Sequence, residues 1–287
     1  MSTVVFAFPT LSEVNAVLHR VKLRSPEGEE LKLYEPAALI PDLPFCGVPA
    51  TSWRPLEFQE AVRLAADAPL IALLPFGESL TARIRGGIAA RARAEAIAWI
   101  DDISISDLMG CALVILDHWF TWSKGSEQFV TLRFNEPNQA TVTYNAATNA
   151  HIGIHLDSWD GGPLRERQKS RVRLCVNVGV EPRSFLFSTV DVSEILRIGG
   201  ADADAMKSGS LTPTDLARSA LRMAGAGVYQ VTVPPGWGYI APTEILPHDA
   251  TSMGMTFMDC SLQVIGDFRP LKRFFSANTF IALNGDQ

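Results

Sequence analysis

The stretch Phe129-Val130-Thr131-Leu132-Arg133-Phe134-Asn135-Glu136-Pro137-Asn138-Gln139-Ala140-Thr141-Val142-Thr143-Tyr144 decides the fold class. Two runs, Phe129–Phe134 and Ala140–Tyr144, flank the turn formers Asn135-Glu136-Pro137-Asn138, so the stretch reads as two strands joined by a turn. The same texture continues downstream. His151–Asp157, Val172–Val178, Ser184–Phe187, Val228–Val233, Tyr239–Ala241 and Thr256–Val264 are short, rich in Val, Ile and aromatic residues, and bounded by Gly, Pro or Asp. About eight strands of this kind predict a mainly β protein with flanking helices, its strands arranged as a sandwich or jelly roll.

Working outward, residues 1–125 read as a mostly helical flank. Leu56–Ala66 is amphipathic, Ile88–Ile100 is alanine-rich, and Ser104–Phe120 follows as a third helix. The strand pattern breaks again over 188–227. There Thr212 is placed as an N-cap, Pro213 in the first turn and Gly225 as a terminator, which predicts a helical insert. An insert of this length suggests a lid over the mouth of the barrel. With no internal repeat and no low-complexity tract, 1–287 is expected to be a single domain whose β core spans 126–269.

Composition narrows the function classes. Hydrophobic residues make up 47% of the 287 and charged residues 20%, which suits a folded domain rather than a disordered chain. Lys and Arg number 25 against 31 Asp and Glu, a net charge of -6, without the basic excess that gripping a nucleic acid requires. The apolar run Ala68–Phe76 is too short and too proline-interrupted for a membrane span, so no membrane is expected. The start, Met1-Ser2-Thr3-Val4-Val5-Phe6, lacks a positive n-region, and the expected localisation is cytoplasmic. Four widely spaced cysteines, Cys46, Cys111, Cys175 and Cys260, form no CxxC pair and are expected to be reduced, mostly buried thiols. No Gly-rich phosphate loop and no Gly-x-Ser-x-Gly elbow is present, which argues against NTPase, Rossmann and serine-hydrolase chemistry.

The residues suited to chemistry are few. In His155-Leu156-Asp157 the imidazole and the carboxylate lie two positions apart in an extended run and leave the same face. A second, distant histidine, His248, ends the run Pro234–Pro247. Two imidazoles and one carboxylate on one face of a metal leave three adjacent positions open, the arrangement of non-heme Fe(II) oxygenases. His151 shares a strand face with His155, but four extended residues set them about 13 Å apart, too far for one ion. Arg171, Arg173, Cys175 and Asn177 alternate with Val172, Leu174, Val176 and Val178, giving a strand with one polar and one apolar face. A buried arginine on that face requires an anionic partner. Trp159 and Trp237 are candidates for the wall of a substrate pocket.

With His155, Asp157 and the distal His248 in this order, the sequence resembles the 2-oxoglutarate and Fe(II)-dependent dioxygenase superfamily, over roughly 129–268. It looks most like the bacterial members that tailor small molecules, through His151–Phe187 and Val233–Asp249. The resemblance implies a double-stranded β-helix, a cupin-like jelly roll, with Fe(II) held by His155, Asp157 and His248. It implies 2-oxoglutarate and O2 as cosubstrates, and hydroxylation or another oxidation of a small molecule that begins with hydrogen abstraction. An amino acid or a natural-product intermediate would be the substrate. Halogenation is disfavoured, because halogenating relatives lose the carboxylate that Asp157 supplies. One feature departs from the family. The cation for the far carboxylate of 2-oxoglutarate commonly follows the distal histidine by ten to fifteen residues, yet 249–268 contains no Lys or Arg. Arg171 or Arg173 is expected to take that role, with Asn177 beside them. Two rivals remain: a cupin-type metal oxygenase without 2-oxoglutarate, its arginines binding the substrate's carboxylate, and a non-catalytic jelly-roll binding module.

Overall fold

The computed structural model describes residues 3–10, 17–48, 52–77, 105–122, 129–200 and 211–284. Its strands in the first half are β1 (Thr3–Phe8), β2 (Leu18–Arg24), β3 (Ile40–Gly47), β4 (Trp53–Leu56), β5 (Leu70–Pro75), β6 (Phe120–Trp122), β7 (Phe129–Asn135), β8 (Tyr144–Asn145) and β9 (Ala150–His151). The second half adds β10 (Val172–Asn177), β11 (Arg183–Phe187), β12 (Val228–Val233), β13 (Trp237–Ala241), β14 (His248–Thr251), β15 (Asp259–Gly266), β16 (Phe268–Pro270) and β17 (Thr279–Asn284). Five helices accompany them among the described residues: α1 (Phe58–Asp67), α2 (Ile105–Trp119), α3 (Val192–Gly199), α4 (Pro213–Ala224) and α5 (Lys272–Ala277). The protein is mainly β, as the sequence predicts.

Two sheets carry the architecture. The larger runs β4-β17-β1-β5-β13-β10-β15-β7, with only β1 and β5 parallel, and the smaller runs β14-β11-β12-β2-β3. The alternation along β10 shows how they pack. Leu174 and Val176 join an apolar cluster with Ala112 and Leu116 of α2 and Phe274 of α5, whereas Cys175 faces a second cluster with Phe185 and Phe187 of the opposite sheet. One face of the large sheet therefore lies under helices, and the polar face of β10 looks into the space between the sheets.

The expectation of a helical flank over 1–125 is corrected. β1 to β5 lie in this region and extend both sheets. The segments Thr3–Phe8 and Leu70–Pro75 are nearly continuous apolar runs, almost wholly buried, and such runs carry no periodicity that separates strand from helix. The β core also runs past 269 to β17. Of the three helices expected, α1 and α2 match two, and Ile88–Ile100 lies outside the described residues. The strand expected at 140–144 shrinks to its last residue, and 151–157 pairs through β9 and through isolated bridges from His151 to Tyr34 and from His155 to His248.

The insert is helical. Thr212 caps α4 in a reciprocal box with Asp215, Pro213 starts the helix, and Gly225 ends it in the left-handed conformation. Both insert helices are bound to the core, burying Val192, Ile195, Leu216, Ala220 and Leu221 in the cluster shared with Phe185 and Phe187. They also brace the segment that carries His155. Thr214 Oγ1 accepts from the Leu156 N–H at 3.3 Å, and the Arg218 guanidinium donates to the carbonyl of Ile152.

Candidate metal centre

His155, Asp157 and His248 converge between the sheets, each buried, with one ligand atom apiece lying within 4.8 Å of the others. The chain brings them together by backbone pairing. His155 and His248 exchange both N–H···O bonds, at 3.0 and 2.8 Å, which sets the two imidazoles side by side with ring centroids 4.6 Å apart. Two residues on, the Asp157 N–H donates to the Thr243 carbonyl at 3.1 Å. Just upstream, Gly153 adopts φ +79, and a Cβ there would lie 2.6 Å from the Leu39 carbonyl oxygen, so only glycine lets the chain pass.

Hydrogen bonds orient both rings. His155 Nδ1 donates to the Gly153 carbonyl at 2.9 Å and His248 Nδ1 to that of Leu246 at 3.1 Å. A carbonyl can only accept, so each Nδ1 carries a hydrogen and each Nε2 is turned toward Asp157. The Nε2 atoms stand 3.7 Å (His155) and 3.4 Å (His248) from the two Asp157 oxygens. Adjacent donors about 2.0–2.1 Å from a common ion lie about 3 Å apart, so small side-chain adjustments would close this set on a metal. His248 Nε2 is buried with no hydrogen-bond partner, the state of a nitrogen whose partner is an ion. The group can hold a metal ion: two neutral imidazoles and one carboxylate, with Asp157 Oδ2 further held by Arg173 Nη2 at 2.6 Å.

Without a metal, these groups distribute charge among themselves. Burial opposes charge on His155, but Asp157 and Asp249 outweigh it and hold the imidazole up at about 9. Burial pushes His248 down to about 3, and the nearby charges of His155 and Arg173 add to the effect. Burial would raise Asp157, yet Arg173 and the two histidines keep it well below the usual carboxylate range.

The other expected residues separate. Arg173 reaches the centre, and its Nε is buried without a partner. Arg171 does not: its Nε and backbone N–H bind the two oxygens of Asp160 at 2.6 and 2.9 Å, on the outer side of the loop after Asp157. Asn177 is also away from the centre. Its amide donates to the carbonyls of Glu181 and Val233, and its oxygen accepts from the Gly179 N–H, so it shapes the turn after β10. Among the two tryptophans, Trp159 lies 5.4 Å from the Arg173 guanidinium and lines the adjoining cleft, whereas Trp237 packs against the core. His151 sits between the rings of Tyr34 and Tyr144, apart from the metal set. Cys175 and Cys260 are buried and Cys46 is exposed. No described helix is long and apolar enough to cross a membrane.

A cleft of about 370 Å³ opens beside Asp157 and Arg173, lined also by Arg133, Tyr144, Trp159 and Gln263. The insert contributes none of its lining, so the lid expected of 188–227 does not cover this cleft in its described part. Three contributors escaped the sequence reading. Asp249 is fully buried beside His155, with Oδ1 accepting from the backbone and hydroxyl of Thr143. Arg167 ties down the loop after Asp157, donating to the Asp157 carbonyl at 2.6 Å and to Ser158 Oγ at 2.9 Å. Arg133 enters from β7, opposite Ser261 in the ladder. The alternation of β7 was the available signal for Arg133; nothing local marked the other two. Comparison with protein-family models, with curated proteins and with solved structures finds no match to the chain.

Proposed function

We propose that this protein is a non-heme Fe(II) and 2-oxoglutarate-dependent oxygenase that oxidises a small molecule. The observation that carries the reading is the donor set: two histidines turned to offer Nε2, one carboxylate between them, and a cleft open on that side. Such a facial set leaves adjacent positions for a bidentate cosubstrate and O2. Strand order supports it. β7, β15, β10 and β13 are neighbours in the large sheet, while the His155 segment, β14, β11 and β12 are neighbours in the small one. Leaving aside the small β8–β9 hairpin, that division of eight segments is the order of a double-stranded β-helix, and we assign the core to that jelly-roll fold.

When bound, iron with 2-oxoglutarate supplies the oxidant that removes hydrogen from a C–H bond. The chain's own residues position and exclude. Asp157 can give one oxygen to the metal while Arg173 retains the other, which keeps the carboxylate in one orientation. The open Nε of Arg173 suits it to a cosubstrate carboxylate. Gln263, at 263 minus 248 or fifteen residues past His248, lines the cleft as a neutral residue where the resembling family commonly carries its cation. The stacked rings of Phe185 and Tyr239, 4.0 Å apart, fill the interior behind His248 and keep water from that side.

The test is an anaerobic titration of metal-free protein with Fe(II) and then 2-oxoglutarate, followed by the weak visible charge-transfer band of bidentate binding. The band should appear, weaken in Arg173→Ala, and persist in Arg171→Ala. Iron binding without the band, and turnover without succinate, would favour the oxygenase that needs no 2-oxoglutarate. Failure to bind any metal would leave a non-catalytic binding module.

A further inference from the structure

We infer that the cleft beside the metal centre selects a small aromatic carboxylate, its ring taken between Tyr144 and Trp159 and its anionic group by Arg133. This rests on the oxygenase reading above and names the substrate class for the same site. Tyr144 is 50% exposed and Trp159 36%, yet both line one cleft and both are fixed in place. The Tyr144 ring meets the His151 ring edge-on, with centroids 5.4 Å apart, and its hydroxyl donates to Asn149 Oδ1. Trp159 lies against the Arg173 guanidinium, on a loop anchored where Glu244 accepts from the Asp160 N–H at 2.6 Å and from Ser170 Oγ at 2.8 Å. Two large aromatic faces held rigid and half open to solvent are the form of a recognition surface rather than of a core.

Charge and size complete the class. Arg133 is exposed at the cleft, with no ion pair among the described residues, whereas Arg173 is already engaged by Asp157. Among the described residues one guanidinium thus remains at the cleft for an anion brought by the substrate. A volume of about 370 Å³ is near the lower end of the roughly 300–1,000 Å³ range of ligand pockets, so the occupant is small.

The experiment is calorimetric titration of the full chain, anaerobic and loaded with Fe(II) and 2-oxoglutarate, with indole-3-acetate and with hexanoate as probes of equal charge. Indole-3-acetate should bind about tenfold more tightly. Tyr144→Ala and Trp159→Ala should each reduce that preference by about two- to tenfold, from ring contacts of roughly 0.5–1.5 kcal/mol. Arg133→Gln should weaken both acids without changing the 2-oxoglutarate concentration that half-saturates the visible band. Equal binding of the two acids, no binding of either, or a preference indifferent to both aromatic substitutions would overturn the inference. So would a loss of 2-oxoglutarate affinity in Arg133→Gln, which would make Arg133 the cosubstrate's cation. The titrations repeated on metal-free chain, whose cleft has the same walls, separate this outcome from failure of the oxygenase reading: discrimination there, with no visible band in the loaded sample, would keep the aromatic site and remove the cosubstrate.

Discussion

Two buried arginine–aspartate pairs face the space between the sheets, and they differ in what they leave open. Arg183 binds Asp259 through Nε at 2.7 Å and Nη2 at 3.1 Å, its Nη1 donates to Cys175 Sγ, and Asn135 donates to the same carboxylate. Every polar group there is used. Arg173 binds Asp157 through Nη2 alone, its Nε is unpartnered, and His248 Nε2 beside it is unpartnered too. Burial and charge type are alike, so neither marks a functional site. The difference is in satisfaction: a saturated pair joins strands, while one with unused donors and acceptors is arranged for a third party.

The largest effect is expected at the saturated pair. Arg183→Ala leaves Asp259 buried and uncompensated and should lower unfolding free energy by about 3–5 kcal/mol in urea melts, whereas replacing both residues by leucine should cost much less. If Arg183→Ala were no worse than an average substitution, the pair would not be the closed one. A smaller effect should appear at the open centre, in the opposite direction. Fe(II) or Mn(II) at a hundredfold excess over its Kd should raise the stability of the wild-type chain by about 2.7 kcal/mol and leave His155→Ala unmoved. A metal that stabilised both equally would be binding elsewhere.

This contrast also explains what the sequence allowed to be read. The β class, the boundaries of β12, the caps of α4 and the pair His155 and Asp157 were legible because each rests on a local pattern: strand runs between turn formers, Thr-Pro before a helix, and a two-residue spacing in an extended run, while His248 was added to the group that could hold a metal only through the resemblance. β1 and β5 were not, since a strand buried on both faces loses its alternation. Arg171 and Arg173 could not be told apart, because alternation puts both on one face and says nothing of the loop that supplies Asp160 to one and Asp157 to the other. Asn177 shared that face but stands at the strand end, where the turn takes all its hydrogen-bonding capacity. Asn177→Ala should therefore cost about 1–3 kcal/mol of stability while leaving metal uptake and the visible band intact. A lost band with unaltered melting would return Asn177 to the site.

The smallest effect is expected at Arg171, and it bears most directly on the choice between the two arginines. Its guanidinium pairs with Asp160 where both side chains are partly solvated, at 27% and 29% exposure, so water screens the attraction and replaces much of it when the pair is removed. Arg171→Ala should change stability by no more than about 1 kcal/mol in urea melts, and less at high salt. Because the Trp159–Asp160 loop is also held by Glu244 and Arg167, the aromatic wall of the cleft should keep its place. Cosubstrate affinity would then be unchanged in Arg171→Ala and reduced in Arg173→Ala. Equal losses in both would show that the solvated pair reaches the centre through its loop, and that satisfaction of hydrogen bonds alone does not separate the functional arginine from its neighbour.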